Sequence, residues 1–362
     1  LVAITGSSGK TTTKEMAATI AVRHRNVLRT EGNLNNRIGL PLTLIRLREE
    51  HELVIVEMGT NSPGEIAALA AIAAPDIGLI TNIGPAHLEG LGSLEAVRDE
   101  KGSLFETMGG RGTVILNLDD PAIRFLAERW HGRSVTFGLD PGAEVTARRI
   151  QPDGSRGVRF NLVIDGIGVP VFLAAAGNHN VLNALAAAAV SWALGLDRHG
   201  IADGLAAFRP VPGRTEIRHL GNDAYLILDT YNANPASVRE AVRTLQGVRQ
   251  NGGAIVVLGD MLELGKQSEA LHREIGTLLA DAGIGDLFLK GPLTRALAEG
   301  AVLGGFPAER ITFFEDPEEV VSSLRSRLKP GDWVLIKGSR KMKMEAVAER
   351  LIATFDLKPQ TV

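Results

Sequence analysis

The chain of 362 residues contains no cysteine. Disulfides, thiolate metal sites and cysteine nucleophiles are therefore excluded, and the composition fits a reducing compartment. Aromatic residues make up only 4%, too few for a surface that reads single-stranded bases by stacking. A formal net charge of −3 is not the basic footprint of a nucleic-acid binder. Long uninterrupted apolar runs are also missing. The longest apolar stretch, Phe172 to Leu196, is broken by Asn178, His179, Asn180 and Asn183, whose amides would lack partners in lipid. Neither nucleic acid nor membrane insertion is expected. Apolar residues are abundant at 44%, as is glycine at 41 positions, and this composition predicts a globular protein of two or three domains.

Short apolar runs alternate with helical stretches for most of the length. Leu1 to Thr5, Leu53 to Glu57, Ile77 to Ile83 and Thr113 to Leu116 have strand length, and segments such as the one bearing Met16, Ile20 and Ala21 show helical spacing. The alternation predicts an α/β fold with parallel strands and helices on both faces. From about Val135 to Leu173 the texture changes. Val158, Phe160, Leu162 and Ile164 alternate with polar residues before an Asp165-Gly166 turn, which predicts an antiparallel hairpin insert. A helix from Asn180 to Leu194 should come next. Arg209-Pro210-Val211-Pro212-Gly213 reads as a linker, giving domains 1–208 and 209–362. Beyond it, Tyr225 to Leu228, Ile255 to Leu258, Leu287 to Leu289 and Trp333 to Ile336 restart the alternation.

The strongest local signal is Thr5-Gly6-Ser7-Ser8-Gly9-Lys10-Thr11-Thr12. A strand enters a Gly-Ser turn and Lys-Thr opens a helix, so backbone N–H groups can curl around phosphate oxygens at the positive end of the helix. Lys10 would reach the β/γ-phosphates and Thr11 would hold Mg²⁺. The loop is a compact phosphate loop, because Ile4 stands where the longer pattern has its first glycine. Three other residues fall near the same edge. Glu57 ends an apolar strand, where a metal contact sits in phosphoryl-transfer sites, or where a carboxylate simply faces solvent. His87 follows Asn82-Ile83-Gly84-Pro85 and is either a ligand or structural. Lys101, on a helix from about Leu94 to Thr107, reads by default as solvated. Asn117-Leu118-Asp119-Asp120 ends another strand, and Asp119 there reads as a helix N-cap.

Thr5 to Glu15 resembles the ATP loop of the Mur ligases and their folylpolyglutamate synthetase relatives. The similarity continues through Gly32-Asn33-Leu34-Asn35-Asn36, Glu57-Met58-Gly59, Asn82 to His87 and Gly177 to Asn180 with Asn183. Asp229-Thr230-Tyr231-Asn232-Ala233-Asn234-Pro235, Gly259 to Gly265 and Lys337-Gly338-Ser339-Arg340 complete it in family order. The resemblance implies a P-loop parallel-sheet ATPase domain with an antiparallel insert, then a smaller Rossmann-like α/β domain. The last four motifs are most similar to the branch that adds D-alanyl-D-alanine to UDP-N-acetylmuramoyl-tripeptide in peptidoglycan precursor synthesis.

The same resemblance implies roles for individual residues. Gly6, Ser7, Ser8, Gly9, Lys10, Thr11 and Thr12 bind the ATP phosphates. Thr11 and Glu57 hold the ATP-bound Mg²⁺. Glu57, His87 and a Lys101 carbamoylated by CO₂ form a second metal site, although Ser103 stands where many members carry an acidic residue. His179, Asn180 and Asn183 lie by the adenine, Arg214 reaches the phosphates and Asp229 contacts the ribose, with ATP between the domains. Asn232, Asn234, Lys337 and Arg340 are candidates for gripping D-alanyl-D-alanine. Catalysis rests on Lys10, Glu57, His87 and Lys101, through an acyl phosphate, in a cytoplasmic monomer. Another amino-acid ligase on this scaffold, or a P-loop regulatory protein without ligase chemistry, is the alternative; a guanine switch lacks its Asn-Lys-x-Asp segment. Leu1 opens directly on a strand, so the chain is expected to begin inside a larger protein. The family's N-terminal domain holds the UDP-sugar, and a chain without it should bind ATP but work poorly on the full substrate.

Overall fold

A computed structural model describes residues 1–249 and 252–356; the last six residues of the domain expected at 209–362 lie outside the described residues. Two compact units emerge. The first takes residues 1–151, 157–174 and 178–209, and the second takes 152–156, 175–177 and 210 onward.

The first unit is built on β1 (Val2–Thr5), β2 (Val27–Arg29), β3 (Leu53–Glu57), β4 (Ile77–Ile80), β5 (Thr113–Asn117) and β6 (Arg133–Phe137). These strands pair in parallel in the order β2-β3-β1-β4-β5-β6. Every residue of β1, β3, β4 and β5 is buried, as expected of parallel strands covered on both faces. The covering helices are α1 (Lys10–Ala21), α2 (Gly39–Leu44), α3 (Glu65–Ala73), α4 (Leu88–Leu91), α5 (Leu94–Met108), α6 (Pro121–Ala127), α7 (Asn178–Ala193) and α8 (Arg198–Ala207). Ile66, Leu69, Leu104, Phe105, Ile123 and Leu126 of α3, α5 and α6 form one core layer with Val54, Val56 and Val114. Helices α1, α7 and α8 pack on one another, and the buried alanines of α7 let it lie close to α1.

The texture change near Val135 has a different structural meaning from the one expected. Strand β6, which contains Val135, belongs to the parallel set, with Ile115 paired to Val135. The hairpin expected around Asp165-Gly166 is formed by β8 (Val158–Ile164) and β9 (Ile167–Leu173), which pair antiparallel. With β7 (Val145–Pro152) they continue the same sheet, which is nine strands wide.

The second unit contains β10 (Glu216–His219), β11 (Tyr225–Asp229), β12 (Ala254–Gly259), β13 (Asp286–Lys290), β14 (Ile311–Phe313) and β15 (Trp333–Lys337), ordered β10-β11-β15-β12-β13-β14. All pair in parallel except β10 with β11. Helices α9 (Pro235–Val248), α10 (Ser268–Asp281) and α11 (Thr294–Leu303) cover one face through Val238, Leu245, Ile275, Leu279 and Leu297. Helices α12 (Pro317–Arg325) and α13 (Glu345–Asp356) cover the other through Val320, Leu324, Val347 and Leu351. The register sets Asp229 beside Lys337 and Leu258 beside Lys337, so β11, β15 and β12 end together at one carboxyl edge. In parallel sheets that edge is where ligands bind.

Candidate active site

Glycine is required twice in the loop between β1 and α1. Gly6 has φ +145 and Gly9 has φ +79, and a Cβ on Gly6 would stand 1.9 Å from Thr81 Oγ1, one on Gly9 2.3 Å from Asn183 Oδ1. The segment after β4 holds the loop in shape. Asn82 Oδ1 accepts from the Ser8 N–H and hydroxyl at 3.0 and 3.2 Å, and the Asn82 carbonyl accepts from the Ser7 N–H at 3.0 Å. Thr81 Oγ1 donates to the Ser8 carbonyl at 2.6 Å, and Ser7 and Gly84 exchange hydrogen bonds at 3.0 and 2.9 Å. Lys10 Nζ lies back across the loop on the Gly6 carbonyl at 2.7 Å. No side chain caps α1 and its first turn holds no acidic residue, so its N-terminal amides suit an anion. Thr12 lies on this turn, half-buried.

Glu57 does not face solvent. It is 2% exposed, and Thr11 Oγ1 donates to its Oε2 at 2.7 Å while Asn35 Nδ2 donates to its Oε1 at 2.8 Å. Its own N–H donates to Thr30 Oγ1 at 3.0 Å. A fully buried Lys14 donates to the Thr30 carbonyl at 2.5 Å and pairs with Glu15. Two hard oxygens of the kind Mg²⁺ prefers, a hydroxyl and a carboxylate, are thus in contact at the mouth of the phosphate loop. Asn35 and Asn82 belong to the family-like motifs but carried no predicted role; Asn82 stands just beyond the carboxyl end of β4, which was the available signal, whereas Asn35 lies in the loop between β2 and α2.

Lys101 is not solvated either. On α5 it is 1% exposed, and among the described residues its Nζ makes no hydrogen bond or ion pair. Burial, reinforced by the nearby Lys10 charge and opposed by Glu100, pushes the amine well below the ordinary lysine range. Glu100 itself is occupied, accepting from Thr60 Oγ1 and the N–H groups of Gly64 and Ile66 at the start of α3. His87 is half-buried, with φ +56, and its carbonyl accepts from Gly90 and Leu91 N–H as α4 begins. No three His, Cys, Asp or Glu side chains gather as a metal cluster among the described residues.

Asn183 Oδ1 accepts from Thr13 Oγ1 at 3.3 Å and its Nδ2 donates to Asn180 Oδ1 at 3.2 Å. Both amides are buried, on the first turns of α7 beside half-buried His179, so Asn183 supports Gly9 and α1 from behind. The N-cap expected of Asp119 belongs to Asp120, which accepts from the Ala122 and Ile123 N–H groups of α6 and from Ile83 N–H. Asp119 instead accepts from the N–H groups of Leu139 and Asp140, because the strand end places it one residue too early for the helix.

At the carboxyl edge of the second sheet, Arg214 is not tied to Glu216. Its guanidinium lies 3.9 Å from the Tyr231 ring centroid, while Glu216 pairs with Arg218. Both Asp229 oxygens are engaged, one by Lys337 Nζ at 2.5 Å and the other by Thr215 N–H at 3.1 Å. Lys337, 1% exposed, also donates to the Asn232 carbonyl at 2.8 Å. Asn234 and Ser237 form a capping box on α9 ahead of Pro235. Of the four residues suggested for gripping a dipeptide, Lys337 and Asn234 thus have structural partners, and Arg340 is exposed, paired with Glu345 and 5.8 Å from the Tyr231 ring. The Gly259 to Gly265 loop is held by His272, whose Nε2 accepts the Met261 N–H at 3.0 Å, and by Ser339 Oγ, which accepts the Leu262 N–H at 2.8 Å.

The family model described as Mur ligase middle domain matches residues 4–191, and that described as Mur ligase, glutamate ligase domain matches residues 213–340. A UDP-N-acetylmuramoyl-tripeptide–D-alanyl-D-alanine ligase of Escherichia coli (strain K12) is 37% identical over 359 residues, covering 97% of this chain and 76% of that protein. Among solved structures, MurF from Acinetobacter baumannii superposes with a TM-score of 0.88 at 34% identity, covering 97% of this chain and 76% of that one. MurF ligase from Thermotoga maritima in complex with ADP gives 0.87 at 30% identity, with 98% and 80% covered.

Proposed function

As this chain belongs to the Mur ligase family, we propose that it spends ATP to join D-alanyl-D-alanine to the terminal carboxylate of UDP-N-acetylmuramoyl-tripeptide. The observation that carries the reading is the contact of Thr11 with Glu57 at the mouth of the phosphate loop, which supports phosphoryl transfer rather than nucleotide binding alone. The names of the relatives supply the acceptor and the amine. The Gly259 to Gly265 and Asp229 to Pro235 segments support this branch over other amino-acid ligases. A cytoplasmic site of action accords with these substrates, and among the described residues no helix is long and apolar enough to cross a membrane.

The chain's own groups divide the work. Loop amides from Gly6 to Thr12, the α1 N-terminus and Lys10 hold the triphosphate and take up charge as the γ-phosphoryl group moves. The substrate carboxylate attacks the γ-phosphorus, releasing ADP and leaving an acyl phosphate. The amine of the dipeptide then attacks the acyl carbon, phosphate departs, and the amine loses a proton. Thr11 and Glu57 would hold Mg²⁺, whose chemistry is to neutralise oxygen charge on the reacting groups. Lys101 is proposed to be carbamoylated: its neutral Nζ adds to the carbon of CO₂, one N–H proton leaves, and an N-carboxylate results. That group would join Glu57 and His87 as oxygen and nitrogen ligands of a second cation. His179, Asn180, Asn183, Arg214 and Asp229 are proposed on the nucleotide side by family similarity, Asn183 and Asp229 while keeping their structural partners Thr13 and Lys337.

The test is phosphate release with ATP, Mg²⁺ and UDP-N-acetylmuramoyl-tripeptide against a panel of amines. Release is expected with D-alanyl-D-alanine and not with L-alanine, D-glutamate, L-glutamate or L-lysine. Release with one of the others but not with the dipeptide would overturn the assignment.

A further inference from the structure

We infer that Lys337 is a positioning residue for Arg214, acting through the Asp229 carboxylate and the backbone of Thr215. The inference rests on the phosphate-contacting role proposed for Arg214. Lys337 ends β15 in register with Asp229 on β11. Its buried ammonium is held by Asp229 Oδ2 and the Asn232 carbonyl, and Asp229 Oδ1 accepts the N–H of Thr215, the residue after Arg214.

Thr215 needs that hold. It has φ +51, a conformation in which a β-branched side chain is strained and which persists only where its surroundings fix it. The flanking residues are also pinned, to β11 and to the segment just after it. The Gly213 carbonyl accepts from Tyr231 N–H at 3.2 Å, the Gly213 N–H donates to Glu216 Oε2 at 3.2 Å, and Glu216 pairs with Leu228 as β10 begins. Between these anchors Arg214 lies on the Tyr231 ring. A lysine fixes a carboxylate, the carboxylate fixes a strained peptide, and the peptide sets the direction in which the arginine leaves the backbone. Removing the ammonium leaves Asp229 without its counter-charge and lets Thr215 relax to an ordinary φ, which turns Arg214 away from its ring.

A double-mutant cycle tests this. Steady-state kinetics for ATP and for D-alanyl-D-alanine are measured for Arg214→Met, Lys337→Met and the double variant, with melting curves confirming that each is folded. Arg214→Met is expected to lower kcat/KM for ATP about 10- to 100-fold, as loss of a charge-assisted contact does. Lys337→Met is expected to lower it about 10-fold in the parent but less than about 2-fold when Arg214 is already Met, with the dipeptide KM unchanged. Lys337→Gln gives the same cycle if Lys337→Met does not fold. Equal losses in both backgrounds would overturn the positioning role while leaving Arg214's role standing. A raised dipeptide KM in Lys337→Met would instead make Lys337 a dipeptide contact. If Arg214→Met left the ATP parameters unchanged, the phosphate reading of Arg214 itself would fall.

Discussion

Besides Lys14, which is paired, the first unit buries Lys101 and the second buries Lys337, each at 1% exposure, and these two are treated in opposite ways. Lys337 lies between a carboxylate and a backbone carbonyl. Lys101 has neither, and sits close enough to Lys10 for that charge to depress its basicity further. A buried ammonium with two acceptors is an element of construction, because its desolvation is offset by the hydrogen bonds it makes. A buried amine without them is driven to the neutral, nucleophilic form, which is the form that reacts with CO₂. The same residue type therefore stiffens one edge and is available for chemistry at the other.

The largest expected effect lies on the Lys101 side. Lys101→Met should lower ligase activity by at least about 10²–10³-fold, the usual cost of a missing charge-stabilising group, while melting no lower than the parent, since an isosteric apolar chain suits the site. The parent should lose activity in CO₂-depleted buffer and regain it with bicarbonate, and ¹³C-bicarbonate should give a carbamate carbon resonance that the variant lacks. Indifference of the parent to bicarbonate, with no such resonance, would sink the carbamate.

Lys337 should behave in reverse. Lys337→Met leaves the Asp229 carboxylate unpaired, and breaking a buried pair costs about 3–5 kcal/mol. The Asp229 side chain keeps 14% exposure, so a cost of about 2 kcal/mol is expected, or roughly 4–8 °C in Tm for a unit of this size. Adding Asp229→Asn should recover part of it by removing the stranded charge. A variant that melted with the parent would show that the two buried lysines do not differ in kind.

That contrast was only half legible in the sequence. The phosphate loop could be read because its chemistry is contiguous, from Gly6 to Thr12, and the strand–helix alternation located both sheets. Thr11 and Glu57 could be placed at one edge, but not in contact, because their pairing depends on the register of β1 with β3. Lys101 read by default as solvated, with the carbamate coming only from the family resemblance, and Lys337 read as a candidate dipeptide contact; the burial and partners of both come from residues far along the chain. Strands β10 and β14 were missed for a local reason: they are three or four residues long, at sheet edges, and partly exposed, so they carry no burial pattern. Asp120 took the cap expected of Asp119 because a one-residue shift at a strand end is below what spacing resolves.

The smallest effect extends the comparison to a third buried group, His272, which like Lys337 is paired at the second unit's edge. Its ring is fully buried, with Nδ1 on the Ser268 carbonyl at 2.7 Å and Nε2 accepting the Met261 N–H. The tautomer is therefore Nδ1–H, and a proton on Nε2 would displace the Met261 bond that anchors the Gly259 to Gly265 loop. Burial holds the imidazole below the ordinary histidine range, against the opposing pull of the Ser268 carbonyl and Asp260. The unfolded chain takes up this proton near pH 6.5 and the folded chain only lower, so this contribution is complete above that value and is lost as pH falls. Asp260 is shifted upward, chiefly by burial, and works in the opposite sense, adding stability as pH falls, but it is present in the parent and in His272→Gln alike. His272→Gln keeps an acceptor for Met261 and removes the titration. Urea unfolding at pH 7.5 and 5.5 should show the parent losing about 1 kcal/mol more than His272→Gln on acidification, within the limit of about 1.4 kcal/mol per pH unit for one proton. Identical losses would mean that His272 is protonated at no cost to the loop, and that pairing at this edge tolerates a change of charge that the Lys337 site does not.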